Sequence, residues 1–260
     1  MVPFQIKICG VTKIDEAIFA ARSGASAIGL NFFQPSSRYV FPPGVPGSDP
    51  AKDDAAQIVA AIRGLSVSEK SPPVRVVGVF VNLEPELVVE IASSLGLDGI
   101  QLHGDEPASD AVEIRQKISS CQSRPAFLVR AIRTNPRTDP DSEKQTDAEA
   151  ELSRIETEIS RWAESGVDAV LLDAAVAGEF GGTGKSLDWH WVPKIKSPVP
   201  IILAGGLTAQ NVADAIRISK VEIVDVASGV ESSPGRKDSS LVQQFVESAA
   251  TVLQRRSSDE

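Results

Sequence analysis

The sequence contains few of the residues that build disulfide frameworks and nucleic-acid-binding surfaces. Only Cys9 and Cys121 are present in 260 residues, and two cysteines cannot provide a disulfide framework for a chain of this size. Both are therefore predicted to be free thiols in a reducing compartment. Acidic residues outnumber basic ones by 35 to 26, which gives a formal net charge of −9. This balance argues against a nucleic-acid partner, which would need clustered Lys and Arg.

Long apolar runs and targeting signals are also missing. No stretch of about 18 apolar residues is present, and no cationic segment is followed by a long apolar one. Apolar residues make up 42% of the chain and charged residues 23%, which is ordinary for a soluble globular protein. We therefore expect no membrane partner and a cytoplasmic location.

Short and nearly continuous apolar runs alternate with segments of helical periodicity. The runs are Gln5–Cys9, Ala27–Asn31, Arg75–Phe80, Gly99–Leu102, Ala126–Ala131, Ala169–Asp173, Ile201–Ala204 and Ile223–Val226. Strands that alternate with helices imply a parallel sheet, and about eight such units favour a closed (β/α)8 TIM barrel of the α/β class. An open doubly wound sheet is the alternative, but it would usually carry a G-x-G-x-x-G turn after its first strand.

Two segments rich in proline, glycine or polar residues interrupt this alternation. They are predicted to be loop insertions near 41–54 and 134–148 in a single barrel domain that spans residues 1–260. Thr12, followed three residues later by Asp15, predicts a capping box at the start of the first helix.

In barrels of this type the active site lies at the carboxyl ends of the strands. Cys9 ends the first predicted strand, Arg38 follows the second, His103 follows the fourth and Asp173 ends the sixth. Taken one at a time, each of these residues is explained as well by packing or capping as by chemistry. Together, a thiol, a carboxyl and an arginine at one mouth suit an acidic sugar substrate.

Glycines follow the last two strands and the sixth. Gly205–Gly206 and Ser228–Gly229 are predicted to bind a phosphate, because the loops after strands seven and eight hold a phosphate in many barrels. Two ordinary left-handed turns are the alternative. Gly182 lies in "GEFGGTGKS", which fails the Walker A spacing at Glu179 and is predicted to be a rim loop over a ligand. No cluster with metal-ligand spacing is present, so we expect no bound metal.

Several motifs resemble those of the phosphoribosylanthranilate isomerases of tryptophan biosynthesis. They run in order from Ile6 to Asp238 and are "KICGVT", "GLNFFQPSSRYV", "VGVFVN", "DGIQLHGDE", "FGGTGKSLDW", "ILAGGLT" and "VDVASGVESSPGRKD". The resemblance implies a barrel of the ribulose-phosphate-binding type. It also implies a cofactor-free Amadori rearrangement of N-(5'-phosphoribosyl)anthranilate to 1-(2-carboxyphenylamino)-1-deoxyribulose 5-phosphate.

The resemblance further implies a role for each matched residue. Cys9 would be the general base, Asp173 the general acid, and Arg38 the ligand of the anthranilate carboxylate. The remaining matched positions would contact the substrate; these are His103, Gly182, Gly205, Gly206, Ser228 and Gly229. The expected partner is a phosphorylated small molecule. Some relatives are fused to other tryptophan-pathway activities, and the sequence leaves open whether this chain is as well.

Three other functions remain as alternatives. The histidine-pathway aminoaldose isomerase resembles this pattern but pairs two aspartates, whereas the first strand here ends in Cys9. Indole-glycerol-phosphate synthase would be expected to carry catalytic Lys and Glu at the rim. A barrel that binds phosphosugars without catalysis is the third alternative, and a turnover assay distinguishes it from an isomerase.

Overall fold

A computed structural model describes residues 2–41, 55–65, 73–120, 127–134, 145–174 and 188–258, and the structural statements below refer to these residues. Eight parallel strands form a closed barrel in chain order, which confirms the predicted fold class. The strands are β1 Ile6–Cys9, β2 Ala27–Asn31, β3 Arg75–Phe80, β4 Gly99–Leu102, β5 Phe127–Thr134, β6 Ala169–Ala174, β7 Ile201–Leu203 and β8 Ile223–Val226.

Helices surround the barrel. They are α1 Ile14–Arg22, α2 Ala55–Arg63, α3 Pro85–Leu95, α4 Ala108–Ser120, α5 Gln145–Glu164, α6 Val212–Ser219 and α7 Ser239–Ser258. Short 3-10 turns occupy Val192–Lys194 and Ser228–Val230. After β8 the chain forms a small antiparallel hairpin of β9 Glu231–Ser233 and β10 Arg236–Lys237, which lies beside the barrel mouth.

The strands are apolar along their length because both of their faces are buried. Outward-facing side chains such as Ile8, Ile28 and Leu172 pack against the helices in the larger core cluster. Inward-facing side chains such as Val77, Val129 and Leu171 fill the barrel in a second cluster. Among the described residues, no helix combines the length and the apolar character needed to cross a membrane.

The predicted boundaries differ from the structure by more than one residue at two places. Strand β5 continues to Thr134 instead of ending at Ala131, because Arg133 and Thr134 pair with Asp173 and Ala174 of β6. Helix α5 begins at Gln145. The predicted insertion at 134–148 is therefore shorter, because its first residue belongs to β5 and its last four belong to α5.

Residues 42–54 and 135–144 lie outside the described residues, so the two insertions and the single domain over 1–260 stay predictions. The ends of the first segment do meet, because the Ala55 N–H donates to the Phe41 carbonyl oxygen at 3.3 Å.

The predicted capping box at Thr12 is wrong. Helix α1 is preceded by Lys13, and no side chain caps it. The Thr12 hydroxyl instead donates to the Gly235 carbonyl oxygen at 2.8 Å, because the β9–β10 turn packs over the loop after β1. The contact fixes this turn at the rim.

Candidate active site

A cavity of about 770 Å3, counting the open space at its mouth, lies at the carboxyl ends of the barrel strands. Eight of the predicted site residues line it together: Cys9, Arg38, His103, Asp173, Gly205, Gly206, Ser228 and Gly229. They come from strands β1, β6 and the segments after β2, β4, β7 and β8. Gly182, the remaining one, lies outside the described residues. The barrel topology therefore brings together groups that are far apart in the sequence.

A continuous chain of polar contacts crosses the barrel interior at the floor of this cavity. The Asp225 carboxylate accepts a hydrogen bond from the Lys7 ammonium at 3.0 Å, and the Gln101 carbonyl oxygen accepts another at 3.1 Å. Gln101 Nε2 contacts His103 Nδ1 at 2.8 Å, and His103 Nε2 lies 3.3 Å from Asp173 Oδ2. The chain thus runs from β8 through β1 and β4 to β6.

Strand periodicity explains why these side chains meet. Residues two apart on a strand face the same side, so Lys7 lies directly below Cys9, and Gln101 lies below His103. Gly29 on β2 makes room for the first pair. A Cβ atom at Gly29 would lie 2.8 Å from Cys9 Sγ and 3.1 Å from Lys7 Cε.

The thiol of Cys9 occupies a buried and highly charged environment. Burial raises the pKa of Cys9 above its ordinary value, and the positive charge of Lys7 only partly opposes this effect. Burial also opposes the charge of Lys7, but attraction to the Asp225 carboxylate, the largest favourable effect, raises the pKa of Lys7 above its ordinary value. Lys7 is therefore a buried cation, and Cys9 is a protonated thiol at neutral pH.

Arg38 is held by the β9–β10 hairpin. Its Nε and Nη2 atoms bind the two carboxylate oxygens of Glu231 at 2.8 and 2.7 Å. Lys237 also binds Glu231, at 2.7 Å. The two cations lower the pKa of Glu231 even though burial, the largest single effect, acts in the opposite direction. This bidentate pair fixes the plane of the guanidinium at the cavity wall.

The glycine turns after β7 and β8 form one continuous edge of the cavity. Gly205 and Gly206 have φ values of 79° and 65°, in the region that favours glycine. A Cβ atom at Gly229 would lie 1.8 Å from the Leu207 carbonyl oxygen, so only glycine allows the two turns to approach this closely. Asn211 holds the first turn by donating to the Gly206 carbonyl oxygen at 2.9 Å.

The family model for N-(5'phosphoribosyl)anthranilate (PRA) isomerase matches residues 46–131 and 137–248. An N-(5'-phosphoribosyl)anthranilate isomerase of Trichlorobacter lovleyi is 34% identical over 250 residues, which cover 96% of this chain and 99% of that protein. The chain belongs to the phosphoribosylanthranilate isomerase family.

Solved structures of this isomerase family share the fold. The phosphoribosyl anthranilate isomerase of Thermotoga maritima has a TM-score of 0.70 and 28% identity, over 95% of this chain and 99% of that one. Another was solved in complex with reduced 1-(o-carboxyphenylamino)-1-deoxyribulose 5-phosphate; its TM-score is 0.67, with 28% identity and the same coverage of both chains.

Sequence reasoning did not single out the five polar residues that form the contacts described above: Lys7, Gln101, Asp225, Glu231 and Lys237. A signal for three of them was present, because a lysine, a glutamine and an aspartate interrupt strands that are otherwise apolar: "IKIC", "GIQL" and "IVDV". A buried charge needs a partner, so such residues predict a polar network inside the barrel. Glu231 and Lys237 had no comparable signal, since they lie on an irregular hairpin.

Proposed function

We propose that this chain catalyses the Amadori rearrangement of N-(5'-phosphoribosyl)anthranilate to 1-(2-carboxyphenylamino)-1-deoxyribulose 5-phosphate. One observation carries the proposal: a thiol, a carboxyl, an arginine and two glycine turns line the same cavity at the carboxyl ends of the strands. Family membership indicates the substrate, and the residues that line the cavity include a candidate for each step of the reaction. The cytoplasmic location and the possible fusion to other tryptophan-pathway activities stay predictions.

The first step is opening of the furanose ring, and Asp173 is the proposed general acid. His103 Nε2 lies 3.3 Å from Asp173 Oδ2, so the proton for the ring oxygen would be carried on the other carboxyl oxygen, Oδ1. The Asp173 side chain is only 9% exposed. Transfer of a proton from the Asp173 carboxyl to the ring oxygen opens the ring and leaves a Schiff base between the sugar C1' and the anthranilate nitrogen.

The second step is removal of the C2' proton, and Cys9 is the proposed general base. The Schiff base makes this proton acidic, which matters because burial disfavours the thiolate form of Cys9. Lys7 favours the thiolate by its charge. Proton abstraction gives an enolamine, which tautomerises to the ketose. A well-placed acid or base contributes roughly 10²–10⁴-fold to the rate.

Binding contacts at both ends of the substrate would hold C1' and C2' between the two groups. Gly205, Gly206, Ser228 and Gly229 are proposed to bind the phosphate through backbone N–H groups. Arg38, which lines the cavity and is held in place by Glu231, is proposed to bind the anthranilate carboxylate. Such remote contacts can position the reacting carbons.

The proposal is tested by incubating the protein with phosphoribosylanthranilate and following the loss of anthranilate fluorescence. Wild-type protein is expected to turn over the substrate without added metal or cofactor. Cys9→Ser and Asp173→Asn should each lower kcat by roughly 10² or more while KM changes little. Cys121→Ser is the matched thiol control and should retain activity. Absence of turnover by folded wild-type protein would refute the proposed function, and an active Cys9→Ser variant would remove Cys9 from the mechanism.

A further inference from the structure

The buried polar chain below the cavity contains a cation that the proposed mechanism does not use as a reactant. Lys7 is fully buried in the barrel interior, and its ammonium contacts Asp225 and Gln101. Burying a lysine is costly unless the charge is paired, and apolar side chains form a separate cluster in the barrel interior. The position therefore calls for an explanation beyond packing.

The chemistry of the contacts fixes the direction of every hydrogen bond in the chain. An ammonium can only donate, so Gln101 must present its carbonyl oxygen to Lys7. The Gln101 amide nitrogen then faces His103 and donates to Nδ1. His103 Nδ1 is therefore the acceptor, and its proton is on Nε2, directed at Asp173 Oδ2. Lys7 thus determines the tautomer of a histidine that it does not touch.

Lys7 faces the other proposed reacting group directly. Its positive charge lowers the pKa of the Cys9 thiol, against the larger effect of burial. Both side chains lie over the open face of Gly29, where an added Cβ atom would be 2.8 Å from Cys9 Sγ and 3.1 Å from Lys7 Cε. A single buried cation therefore lies beside the thiol and is linked to the carboxyl through two intermediate residues.

We propose that Lys7 is a positioning residue for both members of the acid–base pair: it stabilises the Cys9 thiolate, and through Gln101 it fixes His103 as an Nε2–H donor to Asp173. The catalytic use of this arrangement rests on the proposed function. The physical claim about the thiol and the imidazole does not, so it can be tested without substrate. His103 is accordingly assigned to orienting Asp173.

The first experiment measures the reactivity of Cys9 in a Cys121→Ser background, where only one thiol remains. The pH dependence of iodoacetamide alkylation reports formation of the thiolate. Lys7→Met should shift the midpoint upward by about one pH unit, because a nearby positive charge is lost. Lys7→Arg retains the positive charge, so its midpoint should lie close to that of the wild type. An unchanged midpoint in folded Lys7→Met would overturn the proposal for Cys9.

The second experiment reads the imidazole tautomer by ¹⁵N NMR. The chain has two histidines, and substitution of the exposed His190 assigns the signals. Wild-type His103 should be the Nε2–H tautomer, whereas Lys7→Met and Gln101→Leu should give mixed tautomers. Lys237→Met is the matched control, because this buried lysine contacts Glu231 and the Ala227 carbonyl oxygen instead, and it should keep the single tautomer. An Nδ1–H tautomer in the wild type would overturn the proposed relay.

A charge-balanced variant serves as the control for effects on folding. Lys7→Met leaves Asp225 buried without its cation, so Lys7→Met/Asp225→Asn is measured in parallel, with circular dichroism as the check on folding. Both variants should lower kcat by about tenfold or more with a smaller change in KM. A folded variant with altered tautomer but wild-type kcat would refute the catalytic part alone, whereas an inactive wild type with the expected tautomer would refute the proposed function alone.

Discussion

The reactivity of one thiol determines how the site should respond to pH. Burial raises the pKa of Cys9, so the neutral thiol dominates near pH 7 and the thiolate forms only as the pH rises. A general base must be deprotonated to act. Since the raised pKa belongs to the free protein, it should be visible in kcat/KM.

We predict that kcat/KM rises with pH from neutrality to above pH 9, by about tenfold per unit while the thiol is mostly protonated. The measurement is the initial rate at low substrate concentration across this range. Lys7→Met provides the comparison, because without the lysine charge the rise in kcat/KM should occur at still higher pH. A kcat/KM that is flat between pH 6 and pH 9 would contradict the assignment of the buried thiol as base.

At the scale of elements, the loops after β7 and β8 can form the proposed anion site only because they touch. The contact between Gly229 and the Leu207 carbonyl oxygen has no space for a side chain, since a Cβ atom would lie 1.8 Å from that oxygen. Both partners are backbone, so the clash cannot be relieved by a rotamer change. An added methyl group would instead separate the two loops.

We predict that Gly229→Ala raises KM and the inhibition constant of inorganic phosphate together by about tenfold, which corresponds to about 1.4 kcal/mol of binding free energy. The effect on kcat should be smaller, because the reacting groups lie on other strands. Gly96→Ala is the control away from the cavity: Gly96 has a positive φ of 61°, unlike Gly229, but no atom lies within 4 Å of its Cβ position. If phosphate inhibits Gly229→Ala as strongly as the wild type, the phosphate lies elsewhere.

The sequence predicted the element order because apolar strands and amphipathic helices have different periods. It also predicted which strand ends carry Cys9 and Asp173, since topology alone places strand ends at one mouth. It missed the end of β5, where pairing of Arg133 with Asp173 extends the strand through polar residues. It also missed the start of α5 at Gln145. It also missed the partner of Arg38, because Glu231 is 193 positions away and no local pattern predicts such a contact.

At the scale of the whole molecule, the two ends of the barrel have different functions. The amino ends of β4 and β6 are each preceded by an aspartate that accepts a backbone N–H from the neighbouring strand. Asp98 accepts from Val76 at 2.8 Å, and Asp168 accepts from Leu128 at 2.7 Å. Arginines from the surrounding helices pair with both carboxylates. These contacts join neighbouring strands at the end opposite the cavity, where stability and not catalysis is expected to depend on them.

We therefore predict that Asp98→Ala lowers the free energy of unfolding by about 2–3 kcal/mol, because it leaves the Val76 N–H and two arginines without their shared acceptor. Below the unfolding transition, kcat and KM should stay within about twofold of wild type. Chemical denaturation and the fluorescence assay measure the two quantities on the same preparation. Asp214→Ala, which breaks an exposed pair with Arg217 on α6, should have a much smaller effect on stability. A rise in KM like that expected for Gly229→Ala would show that the amino end of the barrel controls the geometry of the cavity, contrary to this division.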